Sequence, residues 1–135
     1  MIGTCRESRL IVGAQVLSER DWATMQPVVD ELPLAEHYYS DDLAVYSDVI
    51  WPDHPDGNKA RQHQVSEGKR DTYTVEGMNA DLRTYLGRLK RRSRCFSRCI
   101  HALRRAVRLF VWFYNKRQRL INHAPRFKNN LCLVF

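Results

Sequence analysis

Two acidic residues, Asp41 and Glu76, have positions from which they could act on a phosphate group. Asp41 follows residues 34–40, which we expect to form a strand, and α/β sheets usually place their chemistry at the carboxyl end of a strand. Glu76 lies near the start of an expected helix. Carboxylates are the hard oxygen ligands that Mg²⁺ prefers, and two such ions can stabilise both oxygens of a phosphoryl displacement. The alternative is that Asp41 and Asp42 cap a short helix that begins at Leu43.

The expected helix spans residues 71–96 and has three different surfaces. One is an apolar stripe with steps of three and four residues, formed by Val75, Met78, Leu82, Tyr85, Leu86 and Leu89. Glu76, Asn79 and Arg83 follow the same step on a neighbouring face. The far end is basic. Taken alone, this pattern also describes an ordinary surface helix with a solvated glutamate.

Charge divides the 135-residue chain into two parts. No Asp or Glu follows Asp81, whereas 15 of the 22 Lys and Arg residues lie between positions 83 and 128. We therefore expect a polyanion-binding helical region over residues 83–120, and the acidic part is the one suited to metal ions. The cations that we expect to contact DNA are Arg88, Lys90, Arg91, Arg92, Arg94 and Arg98.

The order of elements predicts a single α/β domain. We expect strands at 9–17, 34–40 and 62–65, helices at 22–32 and 43–50, and two long helices at 71–96 and 97–120. The strand at 9–17 is apolar on both alternating faces, as expected of a strand covered on both sides. The last helix has an apolar stripe, widened near its end by Trp112 and Phe113 so that a second side is expected to be buried; the stripe is formed by Phe96, Ile100, Leu103, Val107, Phe110 and Tyr114. Pro27 is compatible with the first helix only if that helix begins near Thr24. The four cysteines form no paired motif, so we expect neither a disulfide framework nor a zinc site, and a cytoplasmic protein that does not enter a membrane.

Several segments resemble the transposases of the insertion-sequence-one family. They are RLIVGAQVLSERDWATMQPVVDELP, SDDLAVY, GKRDTYTVEGMNADLRTYLGRLKRRSRCFS and FVWFYNKRQRLI, so the resemblance covers nearly the whole chain from about Arg6. It implies a ribonuclease-H-like fold and a DDE active site that cuts and joins insertion-element DNA. Asp41 would be the second carboxylate and Glu76 the third, sharing Mg²⁺ or Mn²⁺, with Asn79 and Arg83 as supporting residues. The implied partners are double-stranded DNA and other copies of the protein, at the nucleoid.

The resemblance also predicts that a catalytic residue is missing. The family's first Asp lies on a strand upstream of Met1, and Cys5 stands where the family commonly has an Asp. We therefore expect a partial ribonuclease-H-like domain over residues 1–135, with a small mixed sheet and long C-terminal helices, that does not cut DNA alone. The alternatives are an inactive DNA-binding or regulatory remnant and a product without a stable fold.

Overall fold

The computed structural model describes residues 1–52, 63–66, 72–89 and 99–124. Within these ranges the strands and helices occur in the order β1 (Ile2–Thr4), β2 (Ile11–Ala14), α1 (Trp22–Asp30), β3 (Tyr38–Ser40), α2 (Val45–Asp48), β4 (His63–Val65), α3 (Tyr73–Tyr85) and α4 (Ile100–His123). A 3-10 turn, Gly87–Leu89, follows α3. The expected mixed α/β class with long C-terminal helices is confirmed.

Strands β1 and β2 form an antiparallel hairpin in which Ile2 lies opposite Ala14. Beyond the strand ends, Met1 and Gln15 exchange backbone hydrogen bonds of 2.8 and 3.0 Å. A register shift follows Gly3 and inserts an extra residue in β2. Since adjacent strand residues face opposite sides, this shift lets Ile11 and Ala14 pack on the same side of the hairpin. The expected strand over 9–17 is thus shorter, and β1 was not predicted.

Helices cover both faces of the hairpin. On one face the side chain of Leu32, just beyond α1, packs so closely that a Cβ on Gly13 would lie 2.7 Å from its Cδ2 atom. On the other face Ile11 joins a core cluster with α3 and α4 whose other buried members are Met78, Leu82, Phe110 and Tyr114. The apolar sequence of β2 predicted a strand covered on both sides, and helices do lie against both faces, although Val12 remains 38% exposed.

Helix α3 is shorter than the sequence predicted. Met78 and Leu82 of the expected stripe are buried, but the helix ends at Tyr85 and Leu86 leaves helical geometry with φ −100° and ψ 86°. Gly87 follows at once and begins the 3-10 turn Gly87–Leu89. The continuous helix expected over 71–96 is therefore wrong beyond residue 85, and residues 90–98 lie outside the described ranges.

Helix α1 contains its proline in its interior. Asp21 caps the helix, accepting a hydrogen bond from Thr24 N–H at 2.9 Å, so Pro27 stands in the second turn. The expected start near Thr24 is wrong because the helix already begins at Trp22, where the Asp21 carboxylate accepts from Thr24 N–H, one of the unpaired N–H groups of the first turn. Val29 of α1 is completely buried in a second cluster, with Met25 and Val49.

Strands β3 and β4 form a second, parallel sheet in which Ser40 lies opposite Val65. The sequence predicted one small mixed sheet, and within the described residues the strands instead form two separate pairs. A physical reason lies at Ile11, where the side chain of Asn115 occupies the backbone N–H and C=O of β2. Helix α4, rather than a further strand, therefore covers β2 at this position.

Candidate nucleic-acid interface

Helix α4 is the longest element described, with 24 residues and two contrasting faces. Its buried stripe is formed by Leu103, Val107, Phe110, Tyr114, Gln118 and Ile121, which recur at three- and four-residue steps. Leu103 to Tyr114 of this stripe were predicted. The helix contains six Lys or Arg residues and no Asp or Glu. Among the described residues no helix is long and apolar enough to cross a membrane.

The side chain of Asn115 fixes α4 against β2. Its Nδ2 atom donates to the carbonyl oxygen of Ile11 at 2.8 Å, and its Oδ1 atom accepts from Ile11 N–H at 2.9 Å. The amide thus pairs with a strand residue as another strand would. Around this contact, β2 and α4 lie side by side and line an open groove.

This groove, the β2–α4 groove, has a volume of about 550 Å³. Its walls are Ile11, Val12, Gly13 and Ala14 of β2 and Arg108, Val111, Trp112, Asn115, Lys116, Arg119, Leu120 and His123 of α4. The floor is apolar and the only formal charges among these residues are positive. A groove of this kind is electrostatically suited to a polyanion.

Trp112 is the large aromatic residue of the β2–α4 groove, and 56% of its surface is exposed. The Lys116 ammonium lies 5.1 Å from the centre of its ring, and Phe113 meets it edge to face at 4.7 Å. The sequence suggested that Trp112 and Phe113 bury a second side of the helix. For Trp112 this is wrong, because the ring stands at the mouth of the groove instead of in either core cluster.

The cations of α4 have different roles. Arg104 is half-buried and its Nε atom donates to the carbonyl oxygen of Val16 at 3.2 Å, which ties the helix to the end of the hairpin. Arg108 and Arg119 are exposed, and neither forms an ion pair or hydrogen bond within the described part of the chain. These two guanidinium groups are therefore available to a ligand.

The aspartates that follow β3 do not cap a helix. Asp41 and Asp42 are exposed, and α2 starts later, with Ala44 at its cap position and no side-chain hydrogen bond there. The expectation that Asp42 caps this helix is wrong because the helix begins at Val45, two residues after the expected start at Leu43. Burial, and then the nearby Asp41 carboxylate, raise the pKa of the Tyr46 phenol above its ordinary 10.0. Asp41 directly follows a strand, as expected, although β3 is shorter than the strand predicted over 34–40.

Glu76, Asn79 and Arg83 share α3, as predicted from their spacing. Glu76 and Arg83 are exposed and Asn79 is half-buried. Helix α3 packs on β1 of the hairpin, whereas Asp41 follows β3 of the other sheet. The approach of Asp41 to Glu76 and the Mg²⁺ or Mn²⁺ that they would share stay predictions. No group of three or more His, Cys, Asp or Glu within the described ranges is arranged to hold a metal ion.

The basic run after α3 is the part of the expected DNA contact that the structure does not describe. Lys90, Arg91, Arg92, Arg94 and Arg98 lie outside the described residues. For Arg88 only the backbone is described, in the Gly87–Leu89 turn. Their contact with DNA stays a prediction.

A histidine, a serine and a tryptophan join β3, β4 and the segment after α2. Ser40 Oγ donates to the carbonyl oxygen of Asp41 at 3.0 Å and lies 2.7 Å from His63 Nε2, from which the hydroxyl can accept a hydrogen bond. Trp51 stacks on that ring with centres 4.3 Å apart and planes 8° apart. Burial lowers the pKa of His63 below its ordinary 6.5. The hydrogen bond from Ser40 thus holds the carbonyl group of Asp41, which joins Asp41 to Asp42.

The β2–α4 groove was not predicted, although part of the pattern that forms it is readable in the sequence. Arg108, Trp112, Asn115, Lys116 and Arg119 are spaced by four, three, one and three residues, which places them on one helix face. What the spacing does not show is that this face lies beside β2. A comparison of the chain with protein families, with curated proteins and with solved structures finds no match.

Proposed function

We propose that this protein binds DNA through the cationic face of α4 and the β2–α4 groove. The observation that carries the proposal is the placement of Arg108, Lys116 and Arg119 along a groove whose walls include no acidic residue. Cations clustered on one face of a helix are the electrostatic footprint of nucleic-acid binding.

The energetics of such binding come mainly from counterion release. DNA carries a dense layer of condensed cations, and each Lys or Arg that neutralises a phosphate frees about 0.9 of them. Arg108 and Arg119 have no ion pair in the described part of the chain, so neither needs to break one before it binds. At about 0.1 M salt, one contact of this kind corresponds to roughly eightfold in affinity.

The proposal is tested by measuring the affinity of the whole chain for a fluorescently labelled 20-base-pair duplex by anisotropy. We expect Arg108→Ala and Arg119→Ala each to weaken binding roughly eightfold at about 0.1 M salt, whatever the base sequence. Arg20→Ala is the matched control, because Arg20 is also an exposed arginine but lies outside α4. Equal effects of the control and the groove variants would contradict the proposal.

A second candidate function extends the first, and is carried by Asp41 at the carboxyl end of the parallel strand β3. With the resemblance to insertion-sequence-one transposases, we propose that the chain is part of a DDE transposase with a ribonuclease-H-like domain. In that role it would bind the ends of an insertion element and assemble with other copies of the protein. Asp41 and Glu76 are exposed carboxylates, which suit a divalent metal, while Asn79 and Arg83 would orient the surrounding groups. The described residues offer no third ligand, so no catalytic step is derived for the chain by itself.

Metal binding separates the two candidates. We expect Mn²⁺ to bind the chain in a titration followed by electron paramagnetic resonance, and Asp41→Ala and Glu76→Ala each to weaken the same site. Asp42→Ala is the control, since it removes an exposed carboxylate one residue from Asp41. If Asp42→Ala weakens Mn²⁺ binding as much as Glu76→Ala, the assignment of the pair is wrong, while DNA binding by α4 is unaffected.

A further inference from the structure

Trp112 is an aromatic residue of α4 that does not belong to the buried core. The neighbouring aromatic residues Phe110 and Tyr114 are buried and stack on each other with centres 5.9 Å apart. Trp112 instead exposes 56% of its surface at the mouth of a cationic groove. The indole offers an aromatic face and the three cations beside it offer positive charge, so a ligand with both an apolar face and negative charge would match this site.

The groove cations are placed around this ring on the same helix face. Arg108 lies one turn before Trp112 and Lys116 one turn after it, each about 6 Å along the axis, and Arg119 follows at about 10 Å. The Lys116 ammonium lies 5.1 Å from the centre of the indole ring, so a base that stacks on this face displaces the flexible Lys116 side chain toward the flanking phosphates. A ligand with repeated anionic groups and planar rings between them would match this arrangement.

Nucleic acid has that chemistry, but its paired and unpaired forms differ in what they present. In a duplex the flat faces of the bases are covered by their neighbours, so a protein meets phosphates and base edges. An unpaired strand exposes the faces, and an aromatic side chain contributes about 1–3 kcal/mol for each base that stacks on it. The apolar floor beside Trp112, formed by β2 residues and Val111, also favours a base over a hydrated phosphate.

We propose that the β2–α4 groove binds an unpaired stretch of DNA, with a base stacked on Trp112 and the flanking phosphates on Arg108 and Arg119. The inference rests on the proposed DNA binding and adds to it the form of DNA that the groove takes. The phosphates of a duplex reach the same arginines from outside the groove, whereas stacking on Trp112 requires a base that is not paired.

The test compares a labelled 20-nucleotide oligo-dT strand with a blunt 20-base-pair duplex, using the whole chain and fluorescence anisotropy at one salt concentration. We expect Trp112→Ala to weaken strand binding roughly 5- to 150-fold and to change duplex binding by less than about twofold. Trp112→Phe should restore part of the loss because it keeps a ring. Trp22→Ala is the matched control, since Trp22 is 49% exposed but belongs to α1.

The possible results separate the two proposals. If the duplex binds and the arginine variants weaken it, but Trp112→Ala affects strand and duplex alike, stacking in the groove is overturned and DNA binding stands. If neither DNA binds, both proposals are overturned. Because the Trp112 side chain is largely exposed, circular dichroism should show an unchanged fold in the variant, and an unfolded Trp112→Ala would contradict the exposed placement on which the proposal depends.

Discussion

Replacing Asn115 with alanine should destabilise the protein by separating α4 from β2. The wild-type amide makes two hydrogen bonds, of 2.8 and 2.9 Å, to the backbone of a residue 104 positions away. Asn115→Ala leaves both backbone groups of Ile11 without these partners beside a buried side chain. A hydrogen bond of this kind contributes about 0.5–1.5 kcal/mol net, and more when a buried group is left unpaired. Since water reaches this partly buried contact, we expect a loss of about 2 kcal/mol.

Urea unfolding followed by circular dichroism measures this change. With a slope of about 2 kcal/mol per molar urea, a loss of about 2 kcal/mol moves the midpoint by about 1 M. Asn122→Ala is the matched control on the same helix. Asn122 also donates to the backbone of the hairpin segment, through one exposed bond of 3.0 Å to Ser8 O, and its Oδ1 atom accepts from Gln118 Nε2 at 3.0 Å within α4. We expect its removal to reduce the free energy of unfolding by about 1 kcal/mol, half the effect of Asn115→Ala, because one bond is exposed and the backbone of β2 keeps its partners.

The size of the difference between these variants is the informative quantity. Midpoints that agree within experimental error would refute the view that Asn115 holds the helix against the strand. Asn115→Asp refines the test, because a carboxylate can still accept from Ile11 N–H but has no proton to donate to Ile11 C=O. It should therefore be at least as destabilising as a single lost bond, with its oxygen facing a carbonyl oxygen.

The remaining predictions concern the core and the His63 contact. Phe110→Ala should lower the free energy of unfolding by about 3–5 kcal/mol because Phe110 is 1% exposed. Leu109→Ala, at the neighbouring 58% exposed position, should change the free energy of unfolding by no more than about 0.5 kcal/mol. Equal losses in urea unfolding would contradict the described orientation of α4. Burial lowers the pKa of His63, so below the ordinary value of 6.5 the unfolded chain binds a proton that the folded chain does not. The free energy of unfolding should therefore fall as pH drops through 6.5, and less steeply in His63→Asn; parallel pH profiles would show that His63 is not held neutral.

Much of the helical structure could be predicted because it depends on periodicity within one segment. The stripe of α4 follows the 3.6-residue period, so Leu103, Val107, Phe110 and Tyr114 were identified as core from spacing alone. The end of α3 was missed because apolar residues continue past Tyr85, while the backbone at Leu86 leaves helical geometry and ends the helix. The apolar spacing therefore continues beyond the residue at which the helix ends.

The strand pairing and the groove depend on contacts that no local pattern contains. Strand β1 is a three-residue strand with a glycine in its middle, too short to show alternation. The separation of the two sheets depends partly on one amide, Asn115, which takes the place of a strand at Ile11. An aromatic residue on an apolar helix is usually core, so the exposure of Trp112 could not be predicted without the position of β2. The spacing of the groove cations, by contrast, was readable from the sequence.

The salt dependence of duplex binding tests the central claim most directly. We predict that the logarithm of the association constant falls linearly with the logarithm of salt concentration, with a slope of about −3 or steeper from the three groove cations. Combining Arg108→Ala with Arg119→Ala should make the slope shallower by about two. A wild-type slope near zero, or the same slope in the double variant, would contradict DNA binding by the cationic face of α4.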